Sequence, residues 1–201
     1  MPSAEHAPNL IGHYPPTALR LMEATPVNLD HIMELEHQGF AAGHREERAA
    51  YAQRISAFPH GSLMAWRGAD CVGCVFSEIW RATPELNAAH FTLGHDIRER
   101  YAPVLGTELY ISSMTLASAV RGQGLGTPLL LCCLEHVARA FPLLETAVLL
   151  VNADWALARR IYAGGGIRGS GLLHRLLQCR RWHTPGRHGD AQDNQGLALV
   201  Q

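Results

Sequence analysis

The stretch Glu108-Leu-Tyr-Ile-Ser-Ser-Met-Thr-Leu116, followed by Arg121-Gly-Gln-Gly-Leu-Gly126 and then by Thr127-Pro-Leu-Leu-Leu-Cys-Cys-Leu134, decides how this chain is read. Its first nine residues have the apolar and aromatic content of a strand. The three glycines make a tight loop, and the apolar run from Thr127 to Phe141 reads as a helix. A strand that enters a helix through such a loop presents successive backbone N–H groups with no Cβ in the way, and adds the positive end of a helix dipole. That combination holds phosphate, although the same glycines could also be a plain turn. No Gly-Lys-Ser or Gly-Lys-Thr occurs, so this is not a Walker loop. A Rossmann fingerprint needs its glycines after the first strand and an acid at the end of the next, whereas here the loop comes late and Glu145 precedes its strand.

Downstream, Thr146 to Val151 is a short apolar strand of the kind buried on both faces by a crossover helix. Asp154 can cap a helix running to Tyr162, Gly164-Gly165-Gly166 stops it, and residues 167 to 182 favour a strand. Residues 183 to 195 read as a loop, and Leu197 to Val200 as a last edge strand. Upstream, Pro2, Pro8, Pro15 and Pro16 mark residues 1 to 17 as a flexible leader. The domain, residues 18 to 201, then begins with a strand near Leu19 to Met22 and a helix from Pro26 with Leu29, Ile32, Met33 and Leu35 near helical spacing. A second helix from Arg45 to Phe58 places Ala49, Ala52, Ile55 and Phe58 on one face. Strands at 62 to 66 and 71 to 80 turn at Gly68-Ala69-Asp70, and the long connection 81 to 106 is a candidate substrate lid. The order predicts one α/β domain with a mixed, mostly antiparallel sheet flanked by helices.

Composition narrows the function classes. The 17 positive side chains among 201 residues are all arginine, because the chain has no lysine, and they face 18 Asp and Glu for a net charge of −1. That balance offers no electrostatic attraction for nucleic acid. Without lysine there is no Schiff base and no lysine nucleophile. No apolar run reaches the length of a membrane span, and the first residues lack a signal-type apolar stretch, so the expected location is cytoplasmic. Five cysteines make no regular framework. Only Cys71 and Cys74 have metal-like spacing and no second pair accompanies them, so no metal is expected.

The motif Arg121-x-x-Gly124-x-Gly126 after an apolar strand resembles the acetyl-CoA signature of the Gcn5-related N-acetyltransferase (GNAT) superfamily. Val151-Asn152, the Ala-rich segment after it and Arg160-Ile-Tyr162-x-x-x-Gly166-Ile167 are similar to the second motif of that family, with Ile167 where phenylalanine is usual. The resemblance spans residues 19 to 182. Within the superfamily, Glu34-Leu-Glu-His-Gln-Gly-Phe40 and Arg54-Ile-Ser-Ala-Phe-Pro59 look like the arylalkylamine (serotonin-type) branch. The two histidines that several members of that branch carry on the strand before the loop fall here at Tyr110 and Ser112.

The resemblance implies a GNAT-like sheet with splayed central strands, acetyl-CoA as co-substrate, and direct attack of a primary amine on the thioester. The amine would be a small arylalkylamine. A protein or peptide amine, and a non-catalytic acyl-CoA-binding regulatory module, are the alternatives, and the chain would be a monomer or homodimer. Met114, Thr115 and Leu116 would pair with the pantetheine arm, and Arg121, Gly122, Gln123, Gly124, Leu125, Gly126 and Thr127 would hold the pyrophosphate, with Asn152 also at the coenzyme. Tyr162 would protonate the departing thiolate. Glu108 lies thirteen residues before Arg121, the spacing of the catalytic glutamate in the histone-acetyltransferase branch. Alternation would put Glu108, Tyr110 and Ser112 on one strand face, so the base is Glu108, Ser112 or an ordered water chain. Phe40 and Tyr110 are candidates for the acceptor pocket.

Overall fold

The computed structural model describes residues 10–14, 19–83, 86, 88–152 and 197–200, with backbone alone for 10–14, 88, 149–152 and 197–200. Seven strands form one sheet in chain order: β1 (Leu10–Tyr14), β2 (Leu19–Glu23), β3 (Ser62–Arg67), β4 (Asp70–Trp80), β5 (Glu108–Leu116), β6 (Thr146–Asn152) and β7 (Leu197–Val200). All neighbours pair antiparallel except β5 and β6, which are parallel. Among the described residues three α-helices flank it: α1 (Leu29–Gly39), α2 (Arg48–Ala57) and α3 (Gly126–Ala140). The parallel pair is joined through α3, the crossover that a parallel connection requires. Residues 10–14, inside the stretch expected to be a loose leader, pair with β2 as strand β1: the neighbouring prolines exclude helix but leave an edge strand open.

The β5 to β6 region follows the sequence reading closely, because strand, loop and helix each carry their own local signal. Helix α2 does not. It starts three residues later than expected, since Ala42–His44 forms a 3-10 turn and Glu47 is extended. It also buries Ala50, Tyr51, Arg54 and Ile55 and leaves Ala49 exposed, so the helix is turned away from the all-apolar face that its periodicity suggested. Arg54 faces inward because carboxylates wait for it there.

The sheet separates two cores. On one side α3 lays Leu129, Leu130, Cys133 and Val137 against Leu63, Val75, Ile79, Leu109 and Ile111. On the other, Leu29, Ile32, Leu35, Tyr51 and Ile55 of α1 and α2 cover Met64, Cys74 and Phe76. Helix α1 reaches the sheet closely at Gly39, where a Cβ would come within 2.7 Å of Thr115 Cγ2, so a side chain there would push the helix away. The connection 81–106 is no free lid. Its described residues make two 3-10 turns, bury Leu86, Phe91 and Ile97, and hydrogen-bond to the end of β4 through Ala102 N to Ile79 O, and Thr107 just after it donates to Trp80 O. Among the described residues no cluster of His, Cys, Asp and Glu could hold a metal, and no helix is long and apolar enough to cross a membrane.

Candidate functional site

Strands β5 and β6 are in register for four pairs, from Glu108 with Thr146 to Ile111 with Leu149. Beyond that point both strands continue, β5 to Leu116 and β6 to Asn152, without pairing to each other. The parallel pair therefore splays open, and the edge of residues 112–116 that faces away from β4 borders a gap. Met114, Thr115 and Leu116 lie along it, held from behind by Val75, Cys74 and Gly73.

The opening coincides with a β-bulge. Ser77 pairs with Ile111 but Phe76 pairs with Ser113, so Ser112 is an extra residue on β5. Glu108 and Tyr110 share a face with Trp80 and Glu78, as alternation requires, but the bulge then shifts the phase, and Ser113 and Thr115 take over that face. The expected Glu108, Tyr110, Ser112 row is thus broken at its last member. Ser112 Oγ is buried with no hydrogen-bond partner among the described residues.

At the far end of β5 the chain passes through Arg121–Gly124, all exposed, into α3. Gly122 and Gly124 have φ of 76° and 75°, and a Cβ at either would meet nothing within 4 Å, so glycine is required here by backbone conformation. Among the described residues no side chain caps α3, and Pro128 in its first turn has no N–H to satisfy. Arg121 does not point its guanidinium at the loop: its Nε donates to Leu116 O (3.0 Å) and its Nη2 to Gln38 O (2.7 Å). Gln38 Oε1 in turn accepts from Ser118 N at 2.9 Å. Gln123 is held by Arg67 at 2.9 Å. The glycine loop is therefore fastened to the end of α1, which also brings Phe40, half-buried, to the same end of the sheet.

Of the other sequence candidates, Glu108 is buried and its Oε2 accepts from Thr146 Oγ1 at 3.3 Å. Tyr110 is not an open pocket wall. Its ring stacks on Trp80 at 4.2 Å, meets Phe91 edge-on, and burial pushes its phenol well up. Only the backbone of Asn152 is described, at the end of β6, and Tyr162, Asp154, Gly164–Gly166 and the expected strand 167–182 lie outside the described residues.

A buried polar network on the α1/α2 face escaped the sequence reading. Arg54, 1% exposed, donates to Glu46 Oε1 at 2.7 Å and to Glu78 Oε1 at 3.2 Å. Glu78 also accepts from Trp80 Nε1 at 3.0 Å and from His95 Nε2 at 2.9 Å. His95 Nδ1 lies 2.9 Å from Thr92 O, so both ring nitrogens face acceptors, an arrangement that favours the imidazolium. The Glu78 hydrogen bond accordingly raises the pKa of His95. Burial alone would lift Glu78, but His95 and Arg54 outweigh it and hold the carboxyl below its usual range. Glu46 accepts from Gly94 N at 2.8 Å, so the middle of the 81–106 connection is latched to this cluster. Next to it, Glu36 receives Tyr51 Oη at 2.6 Å and Glu46 N at 2.7 Å, and Tyr51 Oη lies 3.2 Å from Ser113 Oγ. The sequence signal was present in two polar residues, Glu36 and Arg54, that sit at apolar positions of the helical pattern.

A separate open cavity of about 410 Å³ lies at the end of β4, between Trp80, Arg81, Glu99 and Arg100, with the Arg100 guanidinium 5.4 Å above the Trp80 ring. Trp80 pairs with Glu108, so this cavity is at the opposite end of β5 from the glycine loop.

No protein-family model and no curated protein matches this chain. Solved structures do. The GphF GNAT-like decarboxylase in complex with isobutyryl-CoA is 22% identical, with 90% of this chain covering 97% of that one at a TM-score of 0.63. Naa50 of Arabidopsis thaliana, solved with a bisubstrate analogue of CoA and a peptide, is 18% identical over 90% and 96% of the two chains, at 0.58. The diaminobutyrate acetyltransferase EctA of Paenibacillus lautus, with L-2,4-diaminobutyric acid and coenzyme A, is 14% identical over 73% of each, at 0.55. With the bulged, splayed β5–β6 pair and the glycine loop feeding α3, these likenesses establish that the chain has the GNAT fold.

Proposed function

We propose that this protein is an acetyl-CoA-dependent N-acetyltransferase that transfers the acetyl group by direct attack of a primary amine, with a small arylalkylamine as acceptor. The observation that carries the reading is the gap between β5 and β6, bordered by the free edge of residues 112–116 and leading to a glycine loop at an uncapped helix N-terminus. A pantetheine arm fits such an edge as an extra strand, pairing with the backbone of Met114, Thr115 and Leu116. The N–H groups from Gly122 to Thr127 hold the pyrophosphate. Arg121 contributes by fixing the loop to α1, and Asn152, at the end of β6, is the proposed coenzyme contact on that strand. Neighbours of the same fold solved with coenzyme A or with a CoA bisubstrate analogue support this assignment.

The chemistry requires that the thioester be held, the ammonium deprotonated and the thiolate protonated. Tyr162 is the proposed acid. Glu108 and Ser112 are the sequence-derived base candidates, and of these Ser112 lies at the bulge where the strands part. Phe40 is the proposed aromatic contact of the acceptor, and the surplus of buried carboxylates on this face suits a cationic amine. Thiol release from acetyl-CoA across a panel of arylalkylamines, diamines and peptides tests the reading. Turnover of free amines supports it, turnover of peptides alone moves the acceptor to a protein N-terminus, and acetyl-CoA binding without thiol release leaves a regulatory acyl-CoA-binding module.

A second reading is favoured by the GphF likeness, which spans nearly all of that decarboxylase. Here the same cleft would release CO2 from a carboxyacyl-CoA. Carbon dioxide formed from such a thioester without an amine present distinguishes the two.

A further inference from the structure

Glu36, Tyr51 and Ser113 form a hydrogen-bonded file that starts at the bulge and ends in the protein interior. Ser113 is the residue of β5 that resumes pairing with β4 immediately after Ser112, at the place where β6 has already left. It is 7% exposed, whereas Tyr51 and Glu36 are 0% and 2% exposed. Tyr51 has one proton, and its shorter contact is to a carboxylate, Glu36 Oε2 at 2.6 Å. Ser113 is therefore the donor in the 3.2 Å contact to Tyr51 Oη, which leaves the lone pairs of Ser113 Oγ facing away from the file. The directions match throughout: each hydroxyl gives its proton inward.

We infer that Ser113, Tyr51 and Glu36 are a proton relay that takes the proton of the acceptor ammonium from the β5 bulge to a buried carboxylate. The inference rests on the proposed acetyl transfer. The ammonium proton passes to Ser113 Oγ as the Ser113 proton moves to Tyr51 Oη and the Tyr51 proton to Glu36 Oε2. The neutral amine then attacks the thioester carbon, the C–N bond forms, the C–S bond breaks, and the sulfur leaves with the second amine proton. Glu36 returns its proton outward along the same file. Ser113 is the catalytic residue in this scheme, and Tyr51 and Glu36 act through it.

The electrostatics suit a carboxylate that must accept a proton, because its pKa lies above the ordinary value. Burial lifts the Glu36 carboxyl, and the hydrogen bonds from Tyr51 and Glu46 N only partly oppose that. The charged and titratable groups around it are Glu46, beside it before α2, Arg54 on α2, and the thiol of Cys74 on β4. Glu46 adds to the rise and Arg54 reduces it. The Tyr51 phenol is itself pushed well up by burial and then by Glu36, so it stays neutral and serves as a conduit.

The test uses the full chain, acetyl-CoA and whichever panel amine gives the fastest thiol release. Tyr51→Phe removes the hydroxyl but keeps the ring, which packs on Phe76 at 4.6 Å. We expect kcat to fall about 100-fold, with KM for acetyl-CoA unchanged and the acid limb of the pH profile lost. Glu36→Gln retains an acceptor for Glu46 N and gives the same loss. Ser113→Ala does too, while Ser113→Thr restores a hydroxyl and most of the rate, which a merely structural role would not produce. Near-UV circular dichroism confirms that each variant is folded. A Tyr51→Phe or Ser113→Ala enzyme with the parent kcat and pH profile overturns the relay and leaves the acetyl transfer standing. A parent that binds acetyl-CoA without thiol release, or does not bind it, overturns both.

Discussion

On one face of β4 and β5, Val75, Ile79, Leu109 and Ile111 meet Leu129, Leu130 and Val137 of α3. On the other face of the same two strands, Glu78 and Ser113 meet Arg54 and Tyr51 of α2, with Glu36 and Glu46 behind them. The α3 face is held by area removed from water, which is non-directional and tolerates small errors of position. The α1/α2 face depends on partners, because each buried charge there costs several kcal/mol unless its counter-charge is in place. One face is thus forgiving and fixed in strength; the other is specific, fragile and responsive to pH.

Four experiments separate the two. Arg54→Met strands Glu46 and Glu78 without their cation, and should remove about 3–5 kcal/mol of unfolding free energy in a denaturant titration. A loss below about 1 kcal/mol would mean that the carboxylates find other partners. Leu129→Ala on the apolar face should cost about 2–5 kcal/mol by cavity formation, and by the same amount at every pH between 5 and 9. Gly124→Ala meets no steric obstacle, so its cost of about 1–2 kcal/mol is purely that of a left-handed backbone. Its larger effect falls on acetyl-CoA affinity, measured by isothermal titration.

The smallest effect is the pH response of the His95–Glu78 pair. The pKa of His95 is raised from 6.5, so its contribution is complete below that value and is lost as pH rises through the folded pKa. That of Glu78 is lowered from 4.5, so its contribution is present above that value and is lost as pH falls through the folded pKa. The pair is therefore strongest between 4.5 and 6.5. Thermal melts should show about 1 kcal/mol more stability near pH 6 than near pH 9, and His95→Gln should abolish that difference. An unchanged difference in the variant would assign it elsewhere.

The sequence reading succeeded where one local rule governs one element. The bounds of β5 and β6 and the start of α3 follow from apolar runs and glycine stops, and β5 spans the residues expected of it. It failed where a local rule met a distant partner. Ser112 was aligned with Tyr110 by strict alternation, but one inserted residue transferred the networked hydroxyl to Ser113. The buried pairing of Arg54 went unread because the carboxylate that holds it, Glu78, is 24 residues away on another element. Tyr110 looked like a pocket aromatic until Trp80 and Phe91 closed over it.

What the sequence alone determined is the glycine loop and the strand–helix–strand unit around it, since positive-φ glycines, a helix start without a capping residue and a short apolar strand are properties of neighbouring residues. The tertiary structure decided which polar side chains share the face of that unit. Burying Arg54 with Glu46 and Glu78, and Glu36 with Tyr51, is favourable only when the partners meet, and their meeting depends on the rotation of helix α2, the close approach of α1 at Gly39 and the bulge at Ser112. No window of sequence contains those three conditions together.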